Sequence, residues 1–391
     1  MLGCSKQSAI RQTTVQPSNR RTQVDSLTLH HPTKKINATI RLASSKSESN
    51  RALIINALGG NNSRLDNLSE ARDTRTLQRL LATADQTWDV IDAGTTMRFL
   101  TAYAAVTNAD KILTGTPRMC ERPIGLLVDA LRTLGADIEY LRNEGYPPLR
   151  VRGLQPNGTN RVAIRGDVSS QYISALLMMA PLLPGGLAVE LTGAVGSRPY
   201  IEMTLRQMEA FDVQHTWTEN TITVPPQSYQ PTDYQIESDW SGASYWYSIA
   251  ALADEADIEL LGLKQNSLQG DSRIADIMVP LGVSSTFTGL GVRLQKIPAA
   301  PRLAVDFTDC PDLAQTVAVC CAAKGIEAEF TGIESLKIKE TDRVTALQNE
   351  LRKFGADLVE TEPNHKYQVR NAEHEIQDLV FQTYDDHRMA M

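Results

Sequence analysis

A short run of charged residues, 339–343, places two bases and two acids where they could act on a bound anion. Apolar residues follow the run at helical spacing, so a helix is expected to begin near Thr341. Lys339 and Arg343 would strengthen the attraction of a helix N-terminus for anions. Glu340 opposes that attraction, which suggests proton transfer, and Asp342 is expected to hold the bases in place. A solvated charge cluster is the alternative.

A second polar stretch, residues 45–51, stands between a predicted strand and a predicted helix. The strand is expected over residues 36–42, where apolar and polar residues alternate, and the helix is expected to end at two glycines. Lys46, Ser47 and Arg51 would surround the helix start, where free backbone N–H groups can face a phosphate. The stretch lacks the glycines of a Walker P-loop, so it is a weak anion-site signal by itself.

Two further loops carry groups that suit phosphates and carboxylates. Gly94 and Thr95 lie at the mouth of an apolar helix, where a glycine lets a ligand approach the backbone closely; an ordinary helix cap is the alternative. Arg118 and Arg122 occupy a proline-bounded loop. A guanidinium group suits this chemistry because it can donate two parallel hydrogen bonds.

The same arrangement recurs later in the chain, where polar residues stand directly ahead of apolar helices. The residues in these positions are Ser169, Ser170, Ser197, Tyr200, Asp239 and Asp312. Pro311 is well placed for a first helical turn. Another helix is expected to begin near the end of the sequence, after residues 384–388.

This organisation predicts an α/β protein with internal repeats. Units of roughly 60 to 70 residues, each with a few strands and two helices, would occur about six times. The segments 174–183 and 316–322 are apolar nearly all round and are expected to be buried on every side. If the helix N-termini converge on one cleft, the ligand is a small, heavily anionic molecule or two of them. A chain of 391 residues favours two domains.

Composition excludes several functional classes. The net charge of -7 argues against a nucleic-acid binder, and no apolar run approaches the roughly 18 residues that span a membrane. The five cysteines are scattered without a C-x-x-C pair, which argues against zinc and favours reduced thiols in a cytoplasm. Residues 1–30 are polar and are predicted to form a disordered tail; an organelle transit peptide or a mis-assigned start codon are the alternatives.

Seven of these segments, taken together, resemble the 5-enolpyruvylshikimate-3-phosphate synthase family of enolpyruvyl transferases. They occur in the family's order and span roughly residues 36–391. The related UDP-N-acetylglucosamine enolpyruvyl transferases share the fold, but the KETDR and DHRMAM strings resemble the shikimate enzymes. The segments are residues 45–51 (SKSESNR), 93–98 (AGTTMR), 113–124 (LTGTPRMCERPI), 169–171 (SSQ), 197–200 (SRPY), 339–343 (KETDR) and 386–391 (DHRMAM).

The resemblance implies a two-domain fold of six βαβαββ units with buried helices, and an active site between the domains. One domain would comprise residues 31–44 together with 237–391, and the other residues 45–236. The implied partners are two small molecules, shikimate-3-phosphate and phosphoenolpyruvate. Neither a metal nor a cofactor is implied, and a monomer in the cytoplasm is expected.

The implied reaction moves the enolpyruvyl group of phosphoenolpyruvate to the 5-hydroxyl of shikimate-3-phosphate and releases phosphate. The reaction would need positioned groups that transfer protons and cations that hold the phosphates and carboxylates of the substrates. By resemblance, the catalytic residues are Asp312, Glu340 and Lys46, with both carboxylates open to either proton-transfer role. Shikimate-3-phosphate would be bound by Lys46, Ser47, Arg51, Ser169, Ser170, Ser197, Tyr200, Asp312, Ser335 and Lys339. Phosphoenolpyruvate would be bound by Lys46, Gly94, Thr95, Arg122, Gln171, Arg343 and Arg388. His387 is either a neighbour of the site or a structural histidine.

Two departures from the family pattern carry expectations. Ser335 stands where many members have asparagine, so its contact with the substrate phosphate is expected to be weaker. The family also continues beyond the position of Met391 with a segment that carries a lysine, so low activity and reduced stability are expected of the 391-residue form. Gly94 matches the form of the family that is sensitive to the herbicide glyphosate. A binding protein that has lost the chemistry, a catalytically impaired fragment, and a UDP-sugar enzyme are the rival hypotheses.

Overall fold

Short strands and helices alternate along the chain in a computed structural model that describes residues 33–371 except 168, 340, 354 and 364. The helices in this part of the chain are α1 (Lys46–Leu58), α2 (Arg72–Ala82), α3 (Gly94–Val106), α4 (Gly125–Thr133), α5 (Ser170–Met179), α6 (Arg198–Ala210), α7 (Trp240–Leu252), α8 (Ile274–Ile277), α9 (Ala314–Lys324) and α10 (Arg343–Arg352). Five short 3₁₀ turns accompany them: Met119–Glu121, Ala180–Leu182, Gly270–Arg273, Pro311–Leu313 and Glu334–Ile338.

The strands of the described residues form four-stranded sheets and one small two-stranded pair. They are β1 (Lys35–Arg41), β2 (Leu65–Asp66), β3 (Thr87–Asp89), β4 (Lys111–Thr114), β5 (Ala136–Tyr140), β6 (Leu149–Leu154), β7 (Arg161–Arg165), β8 (Leu187–Thr192), β9 (Thr216–Thr218), β10 (Thr221–Val224), β11 (Tyr234–Gln235), β12 (Glu255–Leu261), β13 (Val283–Phe287), β14 (Gly291–Lys296), β15 (Arg302–Asp306), β16 (Glu327–Thr331), β17 (Ala356–Glu362) and β18 (Lys366–Asn371).

One plan repeats in the four-stranded sheets, whose orders are β3-β4-β6-β5, β7-β8-β10-β9, β1-β12-β14-β13 and β15-β16-β18-β17. In each sheet the first pair is parallel and the other pairs are antiparallel. Parallel neighbours need a crossover, and a helix supplies it in the three sheets that start at β3, β7 and β15. The predicted repeat of organisation is therefore visible in the described residues, while the count of six units stays a prediction.

Two hydrophobic clusters lie beneath these sheets. The first draws on residues between Ile54 and Tyr229, and the second combines Leu42 with residues between Trp240 and Val369. Helix α5 is the centre of the first cluster, because each of its residues from 172 to 179 is buried.

The expectation that the segments 174–183 and 316–322 are enclosed on every side was wrong at two positions. Leu182 is 36% exposed because the chain leaves the cluster there in a 3₁₀ turn. Val319 is 39% exposed because α9 packs against α7, β16 and β18 but leaves one face uncovered. A left-handed glycine, Gly325 with φ of +66°, ends α9.

Two chain segments run side by side between the clusters, residues 42–45 and 236–239. The backbone N–H of Ser45 donates to the carbonyl of Glu237 at 2.9 Å. The buried Glu48 carboxylate accepts from the Tyr234 hydroxyl at 2.8 Å and from the Glu237 backbone N–H at 3.1 Å. Burial raises the pKa of Glu48 above its usual range. These bonds tie the start of α1 to the returning chain.

Three helices begin at other positions than the sequence suggested. The polar stretch that includes Lys46 and Arg51 is the first part of α1 itself, because Ser45 caps the helix by accepting from the Glu48 N–H. Helix α7 begins at Trp240, with Asp239 as its N-cap, and not at Trp246, where the sequence suggested that the apolar helix would start. Helix α10 begins at Arg343 rather than Thr341. Among the helices that the structure describes, none combines the length and the apolarity that a membrane crossing requires.

Candidate active site

The N-termini of α3 and α5 meet and bring together four of the residues predicted to bind phosphoenolpyruvate. The Gln171 side-chain amide donates to the Thr95 hydroxyl at 3.0 Å. Gly94 opens α3, and a Cβ added to it would lie 2.6 Å from Nη1 of Arg122. The Arg122 guanidinium therefore rests directly on the glycine, beside the free N–H groups of a helix start. A carboxylate or phosphate is the group that this arrangement suits.

Arg98 supports this cluster from within the fold. It is buried, and it donates to the Gly94 carbonyl at 2.9 Å and to the Pro123 carbonyl at 3.0 Å. Its guanidinium also lies 5.9 Å from the centre of the Tyr172 ring. Arg98 thus fixes the α3 start against the segment that follows Arg122, and the sequence had not indicated this role.

The guanidinium of Arg51 is buried at the junction of α1, α5 and α6. It donates to the hydroxyls of Thr204 at 2.7 Å and Ser174 at 3.2 Å, and to the backbone carbonyls of Ser47 at 2.9 Å and Tyr200 at 3.3 Å. Burial lowers the pKa of Arg51 to about 10. Among the described residues, the hydrogen-bond partners of the Arg51 guanidinium are uncharged hydroxyl and carbonyl groups. Its contact with shikimate-3-phosphate stays a prediction.

The predicted serine ligands stand at helix starts. Ser169 is the N-cap of α5 and accepts from the Gln171 N–H at 3.3 Å, and Ser170 is the first residue of that helix. Ser197 precedes α6 with a left-handed backbone, at φ of +53°, and its side chain makes no cap hydrogen bond. Ser47 lies in the first turn of α1, and Ser335 lies half-buried in the Glu334–Ile338 turn.

Asp312 is a carboxylate that three other predicted site residues surround. The Arg343 guanidinium donates to its Oδ1 at 2.9 Å, and Lys339 Nζ lies 4.0 Å from the same oxygen. The hydroxyl of Tyr200 donates to Oδ2 at 3.3 Å. Burial, together with the charges of Asp271 and Asp312, raises the pKa of Tyr200 well above its usual range. Tyr200 is therefore a hydrogen-bond donor at any physiological pH.

Lys46 lies at the start of α1 and interacts with two acids, Asp73 and Asp239, that the sequence had not assigned to either substrate. Its Nζ is 3.4 Å from Oδ2 of Asp73, and its charge lowers the pKa of Asp239, although burial raises the pKa of Asp239 overall. The Lys46 side chain is about half exposed, at 49%, so it remains accessible to a ligand.

Asp342 caps a helix. Its carboxylate accepts from the Thr345 N–H at 3.0 Å and from the Thr345 hydroxyl at 2.8 Å, which makes it the N-cap of α10. The expectation that it also holds the neighbouring bases stays a prediction. Glu340, Arg388 and His387 lie outside the described residues, so their predicted roles stay predictions.

Comparison with known proteins decides the family. The sequence matches the family EPSP synthase (3-phosphoshikimate 1-carboxyvinyltransferase) over residues 30–83 and 77–391. The chain belongs to the EPSP synthase family. A 3-phosphoshikimate 1-carboxyvinyltransferase of Bacteroides fragilis (strain YCH46) is 50% identical over 361 residues, which cover 91% of this chain and 87% of the relative. The enzyme of that name from Vibrio vulnificus (strain YJ016) is 38% identical over 400 residues, covering 94% and 91%.

Solved structures support the fold assignment. EPSP synthase from Acinetobacter baumannii matches with a TM-score of 0.68 at 18% identity, covering 91% of this chain and 84% of that chain. The family resemblance and the two-domain α/β fold expected from the sequence are both confirmed. EPSP synthase family membership makes the chain a transferase of the shikimate pathway.

Proposed function

We propose that this EPSP synthase family member transfers the enolpyruvyl group of phosphoenolpyruvate to the 5-hydroxyl of shikimate-3-phosphate and releases phosphate. The observation that carries the proposal is Asp312, a carboxylate held by Arg343, Lys339 and Tyr200 where helix starts from both hydrophobic clusters meet. A protein that only bound anions would gain nothing from a carboxylate placed among the binding cations. An enzyme needs one for proton transfer.

Asp312 is suited to hold the acceptor hydroxyl. An ionised carboxylate can only accept hydrogen bonds, and the bonds from Arg343 and Tyr200 fix the direction of its two oxygens. We assign it the proton of the 5-hydroxyl as that oxygen attacks phosphoenolpyruvate. The proton that enters the methylene group of phosphoenolpyruvate then falls to the other predicted carboxylate, Glu340. The tetrahedral intermediate so formed loses phosphate and a proton from its methyl group, which restores the double bond of the enolpyruvyl product.

The cations have separate tasks in this account. Arg122, with Gln171, Thr95 and the start of α3, would hold the carboxylate and phosphate of phosphoenolpyruvate. Lys46, half exposed at the start of α1, would stabilise the charge that develops on the departing phosphate. Ser169, Ser170 and Ser197 offer hydroxyls for the phosphate of shikimate-3-phosphate.

The domain boundaries belong to the same proposal. We place one domain at residues 45–236 and the other at residues 31–44 with 237–391. The adjacent segments 42–45 and 236–239 and the separation into two hydrophobic clusters support these limits. A monomeric state, a cytoplasmic location and the disordered tail at residues 1–30 stay predictions; size-exclusion chromatography with light scattering tests the first of these.

Phosphate release tests the proposed reaction. The purified chain is incubated with both substrates, and released phosphate and the enolpyruvyl product are measured by a coupled assay and by mass spectrometry. Release that requires both substrates and matches product one to one is the expected result. Turnover with UDP-N-acetylglucosamine in place of shikimate-3-phosphate would favour the amino-sugar reaction instead, and binding without turnover would favour the binding protein.

A further inference from the structure

Asp271 is a buried carboxyl group beside the active site that the proposed mechanism does not use. It lies in the 3₁₀ turn Gly270–Arg273 and is 3% exposed. The Ser241 hydroxyl, in the first turn of α7, donates to its Oδ2. Its other oxygen, Oδ1, has no hydrogen-bond partner among the residues that the structure describes. A buried carboxylate oxygen without a donor is unfavourable, so the protonated form gains relative to the ionised form.

The turn that carries Asp271 packs closely against the segments that lead into Tyr200 and Asp312. A Cβ added to Gly270 would lie 2.7 Å from the carbonyl oxygen of Asp309 and 2.9 Å from the Cβ of Pro199. Asp309 lies three residues before Asp312, and Pro199 lies directly before Tyr200. Only a glycine permits this approach, and the charge of the next residue, Asp271, acts on both Tyr200 and Asp312.

Two carboxylates, those of Asp312 and Asp239, act on Asp271 from other parts of the chain. Burial is the main cause that raises the pKa of Asp271 to about 7, and the negative charge of Asp312 is the next. The Ser241 hydroxyl opposes the rise because it stabilises the ionised form. The titratable groups around Asp271 are Asp312, Asp239, Lys339, Tyr200 and Cys310.

We propose that Asp271 is a positioning residue that keeps its proton at mildly acidic pH and, on losing it as the pH rises, places a second negative charge behind the Tyr200–Asp312 pair. The inference rests on the proposed function, because its consequence is felt by anionic substrates. With Asp271 protonated, the two cations Lys339 and Arg343 face one carboxylate and keep a positive field for substrate phosphates. With Asp271 ionised, that field is weakened and binding of both substrates is weaker.

The first test compares Asp271→Asn with the wild type across pH. Asparagine keeps the shape and the bond to Ser241 but cannot ionise. We expect the ratio of kcat/KM for shikimate-3-phosphate, variant over wild type, to rise at least threefold between pH 5.5 and 8.5, with the change in KM rather than kcat. A ratio that is the same at every pH contradicts the proposal, because a merely structural residue would lower activity uniformly.

Two serine variants on α7 sharpen this test. Ser241→Ala removes the hydrogen bond that stabilises the ionised form of Asp271, so the pH-dependent loss of kcat/KM should move to higher pH. Ser244→Ala is the matched control, because its hydroxyl donates to the Ser241 carbonyl at 2.6 Å and does not contact Asp271. If kcat/KM were lost at the same pH in both serine variants, the proposal would be contradicted.

A measurement without substrate separates this inference from the proposed function. A carboxyl group whose pKa is raised by folding stabilises the folded protein at low pH. This stabilisation is lost as the pH rises through the pKa that the group has in the folded protein. The melting temperature of the wild type should therefore fall relative to Asp271→Asn between pH 4 and pH 7.5. An absence of this divergence overturns the inference whether or not turnover is found. The inference is also overturned if the melting temperatures diverge but the ratio of kcat/KM, variant over wild type, is the same at every pH. Wild-type inactivity at every pH overturns the proposed function.

Discussion

The Tyr200 hydroxyl donates to Oδ2 of Asp312 at 3.3 Å, and this bond joins elements that pack in the two hydrophobic clusters. Tyr200 stands in α6, whose Ile201 packs in the first hydrophobic cluster. Asp312 stands beside Leu313, which packs in the second. The contact therefore orients the central carboxylate and depends on the approach of the two clusters.

Tyr200→Phe should remove this orientation without disturbing the fold. A hydrogen bond to a charged group contributes about 1.5 to 3 kcal/mol, so we expect kcat/KM for shikimate-3-phosphate to fall by roughly ten- to a hundredfold. Steady-state kinetics and the melting temperature provide the measurement. Tyr146→Phe, at an exposed position between β5 and β6, is the control and should leave kinetics unchanged. Equal kinetics for the two variants would count against an orienting role.

Gly94→Ala should weaken phosphoenolpyruvate binding selectively. Its new Cβ would lie 2.6 Å from Arg122 Nη1 and 2.7 Å from Arg98 Nη1, so the guanidinium groups must move. We expect KM for phosphoenolpyruvate to rise at least tenfold while KM for shikimate-3-phosphate changes little. Glyphosate, expected to inhibit the wild type competitively at micromolar concentrations, should become a much weaker inhibitor of the variant.

Gly125→Ala is the matched control for this change. Gly125 also begins a helix, α4, but the nearest atom to its added Cβ is 3.4 Å away. A rise in KM for phosphoenolpyruvate in both variants would show that the effect arises from helix starts in general and not from Arg122. Wild-type resistance to millimolar glyphosate would contradict the assignment of Gly94.

Ser197 should show a conflict between stability and binding. A non-glycine residue with φ of +53° is strained, so Ser197→Gly is expected to raise the free energy of unfolding by about 0.5 to 1 kcal/mol. The same variant loses the hydroxyl and should raise KM for shikimate-3-phosphate several-fold. Ser197→Ala loses the hydroxyl but keeps the strain. It should raise KM equally and give no gain in denaturant unfolding; a stability gain in both variants would exclude relief of strain as the cause.

Arg51→Lys should destabilise the protein although the charge is kept. One ammonium group cannot reach the hydroxyls of Thr204 and Ser174 and two carbonyls at once, so buried acceptors lose their donors. We expect a loss of about 2 to 4 kcal/mol in the free energy of unfolding. Arg75→Lys is the control, because Arg75 is exposed and pairs with Glu70 at 3.3 Å. The free energy of unfolding of Arg75→Lys should stay within about 0.5 kcal/mol of wild type. A similar loss of stability in both lysine variants would contradict a stabilising role of the buried Arg51 hydrogen bonds.

The sequence allowed the positions of the site loops to be predicted because small, polar or basic residues directly preceded apolar helices. The strand at Lys35–Arg41 and the meeting of Thr95 with Gln171 follow from those patterns and from the family resemblance. Asp342 carried a signal that was available, since an acid just before an apolar helical run is a common N-cap.

The remaining features depend on contacts between residues far apart in the chain. Arg98 acquires its role from the Pro123 carbonyl, and Arg51 acquires its role from α5 and α6. Asp271 gave no signal at all, because one acid in a turn is indistinguishable from a solvated residue until the packing against Pro199 is known. The left-handed backbone of Ser197 is likewise imposed by tertiary structure and not by its own preference.

The role of Asp312 is tested most directly by the rate of phosphate release in Asp312→Asn, measured beside shikimate-3-phosphate binding by calorimetry. We predict that phosphate release falls at least a hundredfold while the dissociation constant changes less than tenfold. Asp342→Asn is the control: it removes a charge from the same motif and keeps a residue that caps a helix equally well, so its rate should remain within threefold of wild type. Phosphate release by Asp312→Asn at the rate of this control would contradict the account.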